Sequence, residues 1–251
     1  MNLASSQKTV AIIPARYYSK RFPGKPLANI AGKPMIQHVW ERVKQTPSID
    51  QILVATDDER ILDIVTNFGG EGVLTSSKHE TGTDRIVEVA QEISCGWVLN
   101  IQGDEPTVLP SDLDRLIKQT KISKGTKAAT LIYHITDKTQ LKDPNIVKVT
   151  VNLDNLALYF SRSQIPYQRS GQYLACKNWR HLGVYLFQRN FLMEFSQWPR
   201  SNLEISEQLE QLRILENGES ILCVEAENEG VSVDVPQDLI YAENLIKDKN
   251  L

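Results

Sequence analysis

The sequence predicts an α/β protein with a mainly parallel sheet. Up to about residue 125, buried-strand patterns alternate with amphipathic helix patterns, as is typical of a parallel sheet with helices on both faces. The 251 residues, 41% of them hydrophobic, suffice for one sizeable core. No internal repeat and no low-complexity linker divides them, so a single domain over residues 1–251 is predicted.

The first elements follow a regular strand–helix order. TVAIIPAR indicates a buried strand because its β-branched apolar run is followed by a polar loop. PMIQHVWERV has apolar residues at steps of three and four, which predicts an amphipathic helix. A strand at QILVATD, a helix ending at Gly69 and a short strand near GVLTS are predicted next.

The same order continues to about residue 125. A helix with an apolar stripe from Ile86 to Ile93 follows the loop KHETGT. WVLNI then indicates another buried strand. The segment SDLDRLIKQ indicates the next helix, and Ser111 is predicted as its N-cap.

The pattern changes after about residue 125, where strand patterns follow one another with fewer helices between them. They predict an embedded β-rich lobe over roughly 125–190, with antiparallel pairing, that serves substrate binding and dimerisation. One helix over 203–218, a strand at ILCVEA, a short strand at VSVD and a helix from Pro236 are predicted to follow. The strand patterns of the lobe are TKAATLIYHI, IVKVTVN, ALYFSR and HLGVYLF.

Composition excludes several classes of protein. The 28 basic and 31 acidic residues give a net charge of −3, too balanced for a nucleic-acid-binding surface. The three cysteines are widely spaced and indicate neither a disulfide framework nor a zinc site. No apolar run approaches the ~20 residues that span a bilayer, and no signal-peptide pattern opens the chain. We therefore expect a cytoplasmic protein without membrane contact.

A basic loop follows the first predicted strand, and residues 1–40 contain no acidic residue. In open α/β sheets the ligand lies beyond the carboxyl ends of the strands, and Gly24 would let the backbone approach it closely. A polyphosphate ligand is therefore predicted, with a solvated basic loop as the alternative. The basic residues of the loop are Arg16, Lys20, Arg21 and Lys25.

Several known motifs are absent. The loop lacks the glycine and the hydroxyl residue of a Walker A motif, which argues against a kinase or an ATPase. The chain contains no complete G-x-G-x-x-G, no G-x-S-x-G and no H-E-x-x-H. Dinucleotide binding, serine hydrolysis and zinc proteolysis are therefore disfavoured.

Two aspartates follow predicted strands and are candidate metal ligands. Asp104 comes after WVLNI, and Asp234 ends VSVD. Mg²⁺ usually takes one or two carboxylates together with phosphate oxygens and water, so these two residues fit a magnesium–phosphate site. A helix cap or an Asx turn is the alternative for either aspartate. Glu105 is assigned either a structural role or a role in supporting the metal ligands without binding the metal.

A third group of polar residues suggests an anionic, hydroxyl-rich substrate such as a sugar acid, because arginine binds carboxylates well. For each residue taken singly, a surface arginine or a packed histidine is the alternative. His38, His79 and His134 are assigned to packing or to the surface. The residues of the third group are Arg162, Arg169, Arg180, His181 and Tyr185.

Seven segments, in this order, closely resemble the 3-deoxy-manno-octulosonate (KDO) cytidylyltransferases, also called CMP-KDO synthetases. The resemblance extends from about Val10 to Ile246. It implies a Rossmann-like nucleotidyltransferase fold and an enzyme that joins CMP from CTP to the sugar acid KDO. The segments are IIPARYYSKRFPGKPL, QILVATDD, ETGTDR, NIQGDEP, YFSRSQIPYQR, RHLGVY and LEQLR.

The resemblance also implies roles for individual residues. Arg16 and Lys25 are expected on the CTP phosphates, and Asp104 and Asp234 on Mg²⁺; Arg16, Lys25 and Asp104 are the expected catalytic residues. The residues expected around the nucleoside are Ala15, Thr81, Gly82, Thr83 and Arg85. The residues expected around the sugar acid are Gln102, Arg162, His181, Tyr185 and Gln211.

The expected reaction is attack of the anomeric hydroxyl of KDO on the α-phosphorus of CTP, which releases pyrophosphate and supplies lipopolysaccharide synthesis. The family usually acts as a homodimer. Two alternatives remain open at this stage. The acceptor could be 8-amino-KDO or a sialic acid, or the chain could be a nucleotide-binding regulator without turnover.

Overall fold

The computed structural model describes residues 7–19, 21–169 and 177–248. Lys20 of the basic loop and Cys176 lie outside these residues. The strands, in chain order, are β1 (Thr9–Ala15), β2 (Asn29–Ile30), β3 (Lys33–Pro34), β4 (Gln51–Thr56), β5 (Glu71–Leu74), β6 (Trp97–Asn100), β7 (Ala128–His134), β8 (Lys148–Val151), β9 (Ala157–Ser161), β10 (Trp179–Gln188) and β11 (Ile221–Glu225).

Helices connect and cover these strands. None of the helices in the described ranges is long and apolar enough to cross a membrane. In chain order they are α1 (Met35–Lys44), α2 (Glu59–Asn67), α3 (Gly82–Glu92), α4 (Pro110–Ile122), α5 (Arg189–Phe195), α6 (Asn202–Glu207), α7 (Leu212–Glu216) and α8 (Asp238–Asp248).

The central sheet has the strand order β11-β7-β10-β6-β1-β4-β5. β1 pairs in parallel with both β4 and β6, and β4 pairs in parallel with β5. The chain first builds outward from β1 to β4 and β5, and then returns through α3 to place β6 on the other side of β1. The order of the strands therefore reverses between β1 and β6, where open α/β sheets bind their ligands.

Residues 125–190 extend this sheet with antiparallel pairs. β10 lies between β6 and β7 and is antiparallel to both. β8 pairs with the start of β10, and β9 pairs with β8. The antiparallel pairing predicted for this region is confirmed, and through β7 and β10 the region forms part of the central sheet.

Alternation along β1 divides the core into two layers. Val10 and Ile12 pack with α3 and α5 on one face of the sheet. Ala11 and Ile13 pack with α1 and α4 on the other face. All four side chains are fully buried, which explains the continuous apolar run in the sequence.

Three local predictions were wrong. Helix α4 has Leu109 as its N-cap and Pro110 in its first turn, so Ser111 lies inside the helix. The helix predicted over 203–218 divides into α6 and α7, because Gln208 adopts a left-handed backbone with φ 54° and turns the chain. Helix α8 begins at Asp238, two residues after the predicted start.

The strand predicted at VSVD is also absent. In this segment the backbone N–H of Val231 donates to the Thr107 hydroxyl at 2.7 Å. The backbone N–H of Val233 donates to the carbonyl of Asp104 at 2.9 Å. These donors therefore bond to a loop instead of a neighbouring strand, and residues 226–235 form an irregular segment that we call the Asp234 segment.

Candidate active site

A cleft of about 930 Å³ opens at the carboxyl ends of β1 and β6, where the strand order reverses. The basic loop after β1, the loop after β6, the start of α3 and the Asp234 segment form its walls. We call it the main cleft. Its lining residues are Pro14, Ala15, Arg16, Tyr18, Ser19, Arg21, Lys25, Pro26, His79, Thr81, Gly82, Arg85, Gln102, Gly103, Asp104 and Asp234.

The basic loop is held in shape by its own backbone and by one stacked arginine. Gly24 has φ +71°, a conformation that side-chain-bearing residues rarely adopt, and its N–H donates to the Tyr17 carbonyl at 2.8 Å. The guanidinium of Arg60 lies 3.4 Å from the centroid of the Tyr17 ring. Arg60 is fixed in turn by Asp58, the N-cap of α2. These contacts orient Arg16 and Lys25 toward the main cleft.

Lys25 brings the two candidate metal ligands together. Its ammonium donates to the carboxylate of Asp104 and, at 3.0 Å, to the Val233 carbonyl. The Asp234 Oδ1 atom lies 3.7 Å from the same nitrogen. Arg21 also donates to Asp234 Oδ1, at 2.8 Å. Two carboxylates and one carbonyl thus surround a single cationic group.

The Asp234 segment is positioned by side chains from other elements. Asp238 accepts the N–H groups of Asp234 and Val235 at 2.8 and 2.9 Å. Val233 packs in a small cluster with residues of α8 and with Ile30. The Asp234 carboxylate therefore enters the main cleft from a segment that is anchored on both sides.

Two glycines allow close packing around the main cleft. A Cβ atom on Gly103 would lie 3.0 Å from the Pro14 carbonyl, so the loop after β6 could not approach β1 with a larger residue. A Cβ atom on Gly82 would lie 3.3 Å from Oε1 of Gln102. The start of α3 and the loop after β6 are therefore in close contact.

The N-terminus of α3 lies in the wall of the cleft. Thr81 caps the helix and exchanges hydrogen bonds with Asp84 in a capping box. Arg85 is buried one turn later, where it donates to Asp57 at 2.9 Å and to the Thr75 hydroxyl. The positive end of the helix and a buried arginine thus face the same space as the basic loop, an arrangement that suits an anion.

Glu105 lies next to Asp104 but has a different environment. Burial and the charge of Asp104 raise the pKa of Glu105 to about 7, while Arg180 partly offsets them. Arg180 itself donates to Glu229 at 2.6 Å. Glu105 and Arg180 therefore belong to an internal charge network, in agreement with the structural role predicted for Glu105.

The residues predicted around the sugar acid divide into two groups. Gln102 lines the main cleft, and its amide donates to the Asn100 side chain at 2.8 Å. The other four are not among the residues that line this cleft. We call them the β10 cluster, and they are Arg162, His181, Tyr185 and Gln211.

Arg162 already makes hydrogen bonds to the backbone. Its guanidinium donates to the carbonyls of Glu207 at 2.8 Å and Pro144 at 3.0 Å. The carbonyl of Arg162 accepts a hydrogen bond from the ammonium of Lys148, which is fully buried. Lys148 also donates to the carbonyls of Asp143 and Ile146. Arg162 thus joins two loops, and the contact with the sugar acid stays a prediction.

His181 is held as a neutral ring. Loss of hydration, and to a smaller extent the nearby Arg180 charge, lower the pKa of His181 to about 3. The Thr130 hydroxyl lies 3.0 Å from His181 Nε2 and 2.7 Å from the Val184 carbonyl. Because the single hydroxyl proton goes to the carbonyl, Nε2 carries the ring proton and donates to Thr130.

Tyr185 and Gln211 line a second, small cavity of about 40 Å³, together with Thr83 and Glu210. Burial raises the pKa of Tyr185 well above its ordinary value. The Thr83 hydroxyl donates to Glu210 at 2.6 Å. The Nε2 group of Gln211 is buried and has no hydrogen-bond partner. Because Gly82 lines the main cleft and Thr83 the small cavity, neighbouring residues of α3 face the two spaces.

The sequence interpretation assigned His79 to packing or the surface, whereas it lines the main cleft and contacts Glu88 of α3. Its place two residues before Thr81 was the signal that could have identified it. Tyr18 and Ser19 also line the cleft. The assignment of His38 to packing is confirmed, because it is buried against the Ile30 carbonyl at 2.7 Å.

Within the described residues, no group of three or more histidine, cysteine or acidic side chains could hold a metal ion. The pair Asp104 and Asp234 fits a metal that takes only one or two protein carboxylates, as Mg²⁺ does. The observation that supports the fit is that both carboxylates already face one cation, the ammonium of Lys25.

Comparison with known proteins gives a consistent result. Residues 10–221 match a family model described as cytidylyltransferase. A 3-deoxy-manno-octulosonate cytidylyltransferase of Trichlorobacter lovleyi is 46% identical over 95% of this chain and 98% of its own. One from Escherichia coli is 43% identical over 91% of this chain and 92% of its own.

A solved structure agrees with this fold. The CMP:2-keto-3-deoxy-manno-octonic acid synthetase complexed with CTP superposes with a TM-score of 0.92. It is 41% identical, and the alignment covers 96% of this chain and 99% of that one. The chain therefore belongs to the cytidylyltransferase family and, within it, to the 3-deoxy-manno-octulosonate cytidylyltransferases.

Proposed function

We propose that this enzyme transfers CMP from CTP to the anomeric hydroxyl of KDO, giving CMP-KDO and pyrophosphate for lipopolysaccharide synthesis. One observation carries the proposal: at the strand-order reversal, basic side chains of the loop after β1 and of α3 line one cleft together with a pair of aspartates, and the cleft is large enough for a nucleotide. The relatives named above carry this activity in their names, and the superposed synthetase is complexed with CTP.

In the proposed reaction the anomeric oxygen of KDO forms a bond to the α-phosphorus of CTP. The bond from that phosphorus to the bridging oxygen of the β-phosphate breaks, and pyrophosphate leaves with both electrons of the broken bond. The proton of the sugar hydroxyl passes to solvent. The protein forms no covalent intermediate, so catalysis depends on alignment of the two substrates and on stabilisation of charge.

The residues of the main cleft would provide both alignment and charge stabilisation. Arg16 and Lys25 would bind the phosphates and stabilise the charge that develops on the departing pyrophosphate. Ala15, Thr81 and Gly82 line the same cleft and would hold the nucleoside. Arg85 also lines the cleft, and its hydrogen bonds to Asp57 and Thr75 hold its guanidinium in place.

Magnesium is the metal that we propose for this site, held by Asp104 and Asp234 with the remaining positions left to phosphate oxygens and water. When bound, it would supply electrostatic stabilisation of the phosphate charge. Asp104 is held by a loop that contains Gly103, and Asp234 by the anchored Asp234 segment. Both carboxylates therefore have defined positions before the nucleotide binds.

The sugar acid would bind beside Gln102 and extend toward the β10 cluster. Gln102 is the member of the predicted set that lines the main cleft. Gln211 has a free buried amide, and Tyr185 borders the same small cavity. Arginine is a good partner for the carboxylate of the sugar acid, and Arg162 would exchange a backbone carbonyl for that carboxylate when the acid binds.

We also propose that the enzyme is a cytoplasmic homodimer. Leu153 in the turn between β8 and β9, Leu158 near the start of β9, and Tyr167 are all largely exposed. Apolar side chains on an unpaired sheet edge favour contact with a second copy. The free cysteines among the described residues, Cys95 and Cys223, are compatible with a reducing compartment. Light scattering of the purified protein would measure twice the mass of the chain.

The function is tested by measuring pyrophosphate release with Mg²⁺, four nucleoside triphosphates and a panel of sugar acids. The proposal requires release that depends on CTP and KDO together, with a higher kcat/KM for KDO than for 8-amino-KDO or a sialic acid. A higher kcat/KM for another acid would reassign the acceptor. Binding of CTP without release in the presence of any acid would contradict the proposed activity and favour a regulator.

A further inference from the structure

Basic side chains of the loop after β1 already form hydrogen bonds with the carboxylates that would hold the metal. Lys25 contacts Asp104, the Val233 carbonyl and Asp234, and Arg21 contacts Asp234 from the solvent side. Both basic side chains belong to the loop that would bind the triphosphate. The same two groups therefore have two possible sets of partners, the carboxylates of the protein and the phosphates of the nucleotide.

From this geometry we propose that Lys25, assisted by Arg21, excludes a free divalent cation, so that the main cleft accepts the metal only together with a nucleoside triphosphate. This inference rests on the proposed function, because it assumes that Asp104 and Asp234 are the metal ligands. It adds a specificity role to Lys25: the species that the cleft recognises is the metal–nucleotide complex.

Burial decides which of the two cations matters more. The side chains of Lys25 and Asp104 are 15% and 22% exposed, so their charges interact with little screening by water. Arg21 and Asp234 are 63% and 45% exposed, and exposed pairs of this kind are weak. The exclusion of the free divalent cation is therefore mainly due to Lys25, and Arg21 has a smaller effect.

A divalent cation and the Lys25 ammonium compete for the same oxygen atoms. A metal bound by Asp104 needs the lone pairs that now accept the hydrogen bond from Lys25, and it would lie within a few ångströms of a positive charge. For the metal to bind, Lys25 must leave. Without a phosphate to receive it, Lys25 would give up a partly buried ion pair for water, which is unfavourable.

A triphosphate removes this obstacle. Its negative oxygens offer Lys25 and Arg21 new charge-assisted hydrogen bonds, while Asp104 and Asp234 become free to bind the metal. The two ligands should then increase each other's affinity by the same factor, as thermodynamic linkage requires. The exchange also explains how Lys25 can contact Asp104 and still be the predicted phosphate ligand.

The experiment titrates Mn²⁺ into the full chain and measures free Mn²⁺ by its paramagnetic resonance signal, with and without CTP and always without a sugar acid, so that no turnover occurs. The binding of Mn²⁺ to CTP alone is measured separately and subtracted. The variants are Lys25→Met, Arg21→Gln and Lys25→Met/Asp104→Asn. Lys33→Met is the matched control, because Lys33 pairs with Glu41 outside the main cleft.

For the unmodified chain we expect weak Mn²⁺ binding that becomes at least about tenfold tighter with CTP, in the range of ordinary coupling between sites. Lys25→Met should bind Mn²⁺ at least about tenfold more tightly than the unmodified chain without CTP, and the further gain on adding CTP should be smaller than in the unmodified chain. Arg21→Gln should show a smaller gain. The control should behave like the unmodified chain, and the double variant should lose the gain because Asp104 provides it.

Two results would overturn the inference. One is an unmodified chain that binds Mn²⁺ equally well with and without CTP, a measurement that needs no variant. The other is a Lys25→Met protein with an unchanged melting temperature and unchanged Mn²⁺ affinity. Failure of the proposed function is distinguishable, because it would show as CTP-dependent Mn²⁺ binding with no pyrophosphate release when KDO is added.

Discussion

The main cleft and the β10 cluster lie next to each other but are built differently. In the main cleft, charged side chains from four segments face an open volume of about 930 Å³. In the β10 cluster, Arg162 and His181 are already hydrogen-bonded within the protein, and the adjoining cavity measures about 40 Å³. The region proposed for the nucleotide is therefore open, whereas the region proposed for the sugar acid is closed by contacts within the protein.

This difference separates the expected effects of substitutions. A group that faces open space and stabilises charge affects the reaction more than the fold. A buried group whose hydrogen bonds are all made within the protein affects the free energy of unfolding when it is removed. Substitutions in the main cleft should thus reduce turnover, and substitutions around the β10 cluster should reduce stability, sugar-acid affinity or both.

The largest effect is expected in the main cleft. Lys25→Ala and Asp104→Asn should each lower kcat by about 10² or more, equivalent to about 3 kcal/mol of transition-state stabilisation. Steady-state pyrophosphate release measures kcat, and thermal melting checks that the variants fold. The matched controls are Lys33→Ala and Asp154→Asn, outside the cleft. Turnover close to that of the unmodified enzyme in either cleft variant would contradict the catalytic assignment.

A substitution of Lys148 tests the structural role of the hydrogen bonds around the β10 cluster, because Lys148 donates to the carbonyl of Arg162. Its buried ammonium donates to three carbonyls, and burial lowers the pKa of Lys148. Lys148→Met would leave these acceptors without a donor and should lower the free energy of unfolding by about 2 to 3 kcal/mol. Urea denaturation measures the loss. Lys127→Met, which breaks a more exposed pair with Glu219, should lower the free energy of unfolding clearly less than Lys148→Met does, because water screens exposed ion pairs. Equal losses in the two variants would disprove the structural role of Lys148.

His181 should make stability depend on pH. Its pKa of about 3 in the folded protein lies below the ordinary value of 6.5, so the folded state remains neutral while the unfolded chain takes up a proton. Protonation of His181 in the unfolded chain therefore costs no stability above about pH 6.5. The free energy of unfolding falls as the pH decreases from 6.5 toward 3. Between pH 7 and pH 5 this proton uptake should cost up to about 2 kcal/mol.

Urea denaturation at pH 7 and pH 5 measures this loss. In His181→Gln the difference in free energy of unfolding between the two pH values should be smaller, by up to the cost of that proton uptake. An identical pH dependence in the variant and the unmodified chain would show that His181 is not held neutral. Between pH 6 and 8 the charge of His181 should not change, so any pH dependence of kcat in that range must come from other groups.

The smallest effect is expected at Gln211. Its free Nε2 group is buried beside the small cavity, so Gln211→Leu should leave the melting temperature nearly unchanged. If the amide binds the sugar acid, the KM for KDO should rise about tenfold while the affinity for CTP stays the same, equivalent to about 1.4 kcal/mol. An unchanged KM would exclude Gln211 from sugar-acid binding.

Much of the architecture was predictable because it depends on local patterns. Alternation of buried strands and amphipathic helices predicted β1, β4, β5 and β6 and the helices α1 to α4 between and after them, and these elements are present, whereas the short β2 and β3 were not predicted. The basic residues after β1 and the aspartate after β6 were predictable as neighbours, because parallel strands place their carboxyl ends at the same edge of a sheet. The errors lie where a single backbone conformation turns the chain, as at Gln208, or where distant residues accept the backbone hydrogen bonds, as at Val231 and Val233.

The sequence by itself determined the fold class, the family and the pairing of a cationic loop with two aspartates. Only the tertiary structure decided that Lys25 lies against Asp104, that Asp234 enters from an irregular segment and that Arg162 and His181 are already bonded within the protein. Periodicity reports whether a residue is buried, which is a local property. Which polar group meets which depends on contacts between residues far apart in the chain, such as Lys25 and Val233, and these exist only after the sheet has formed.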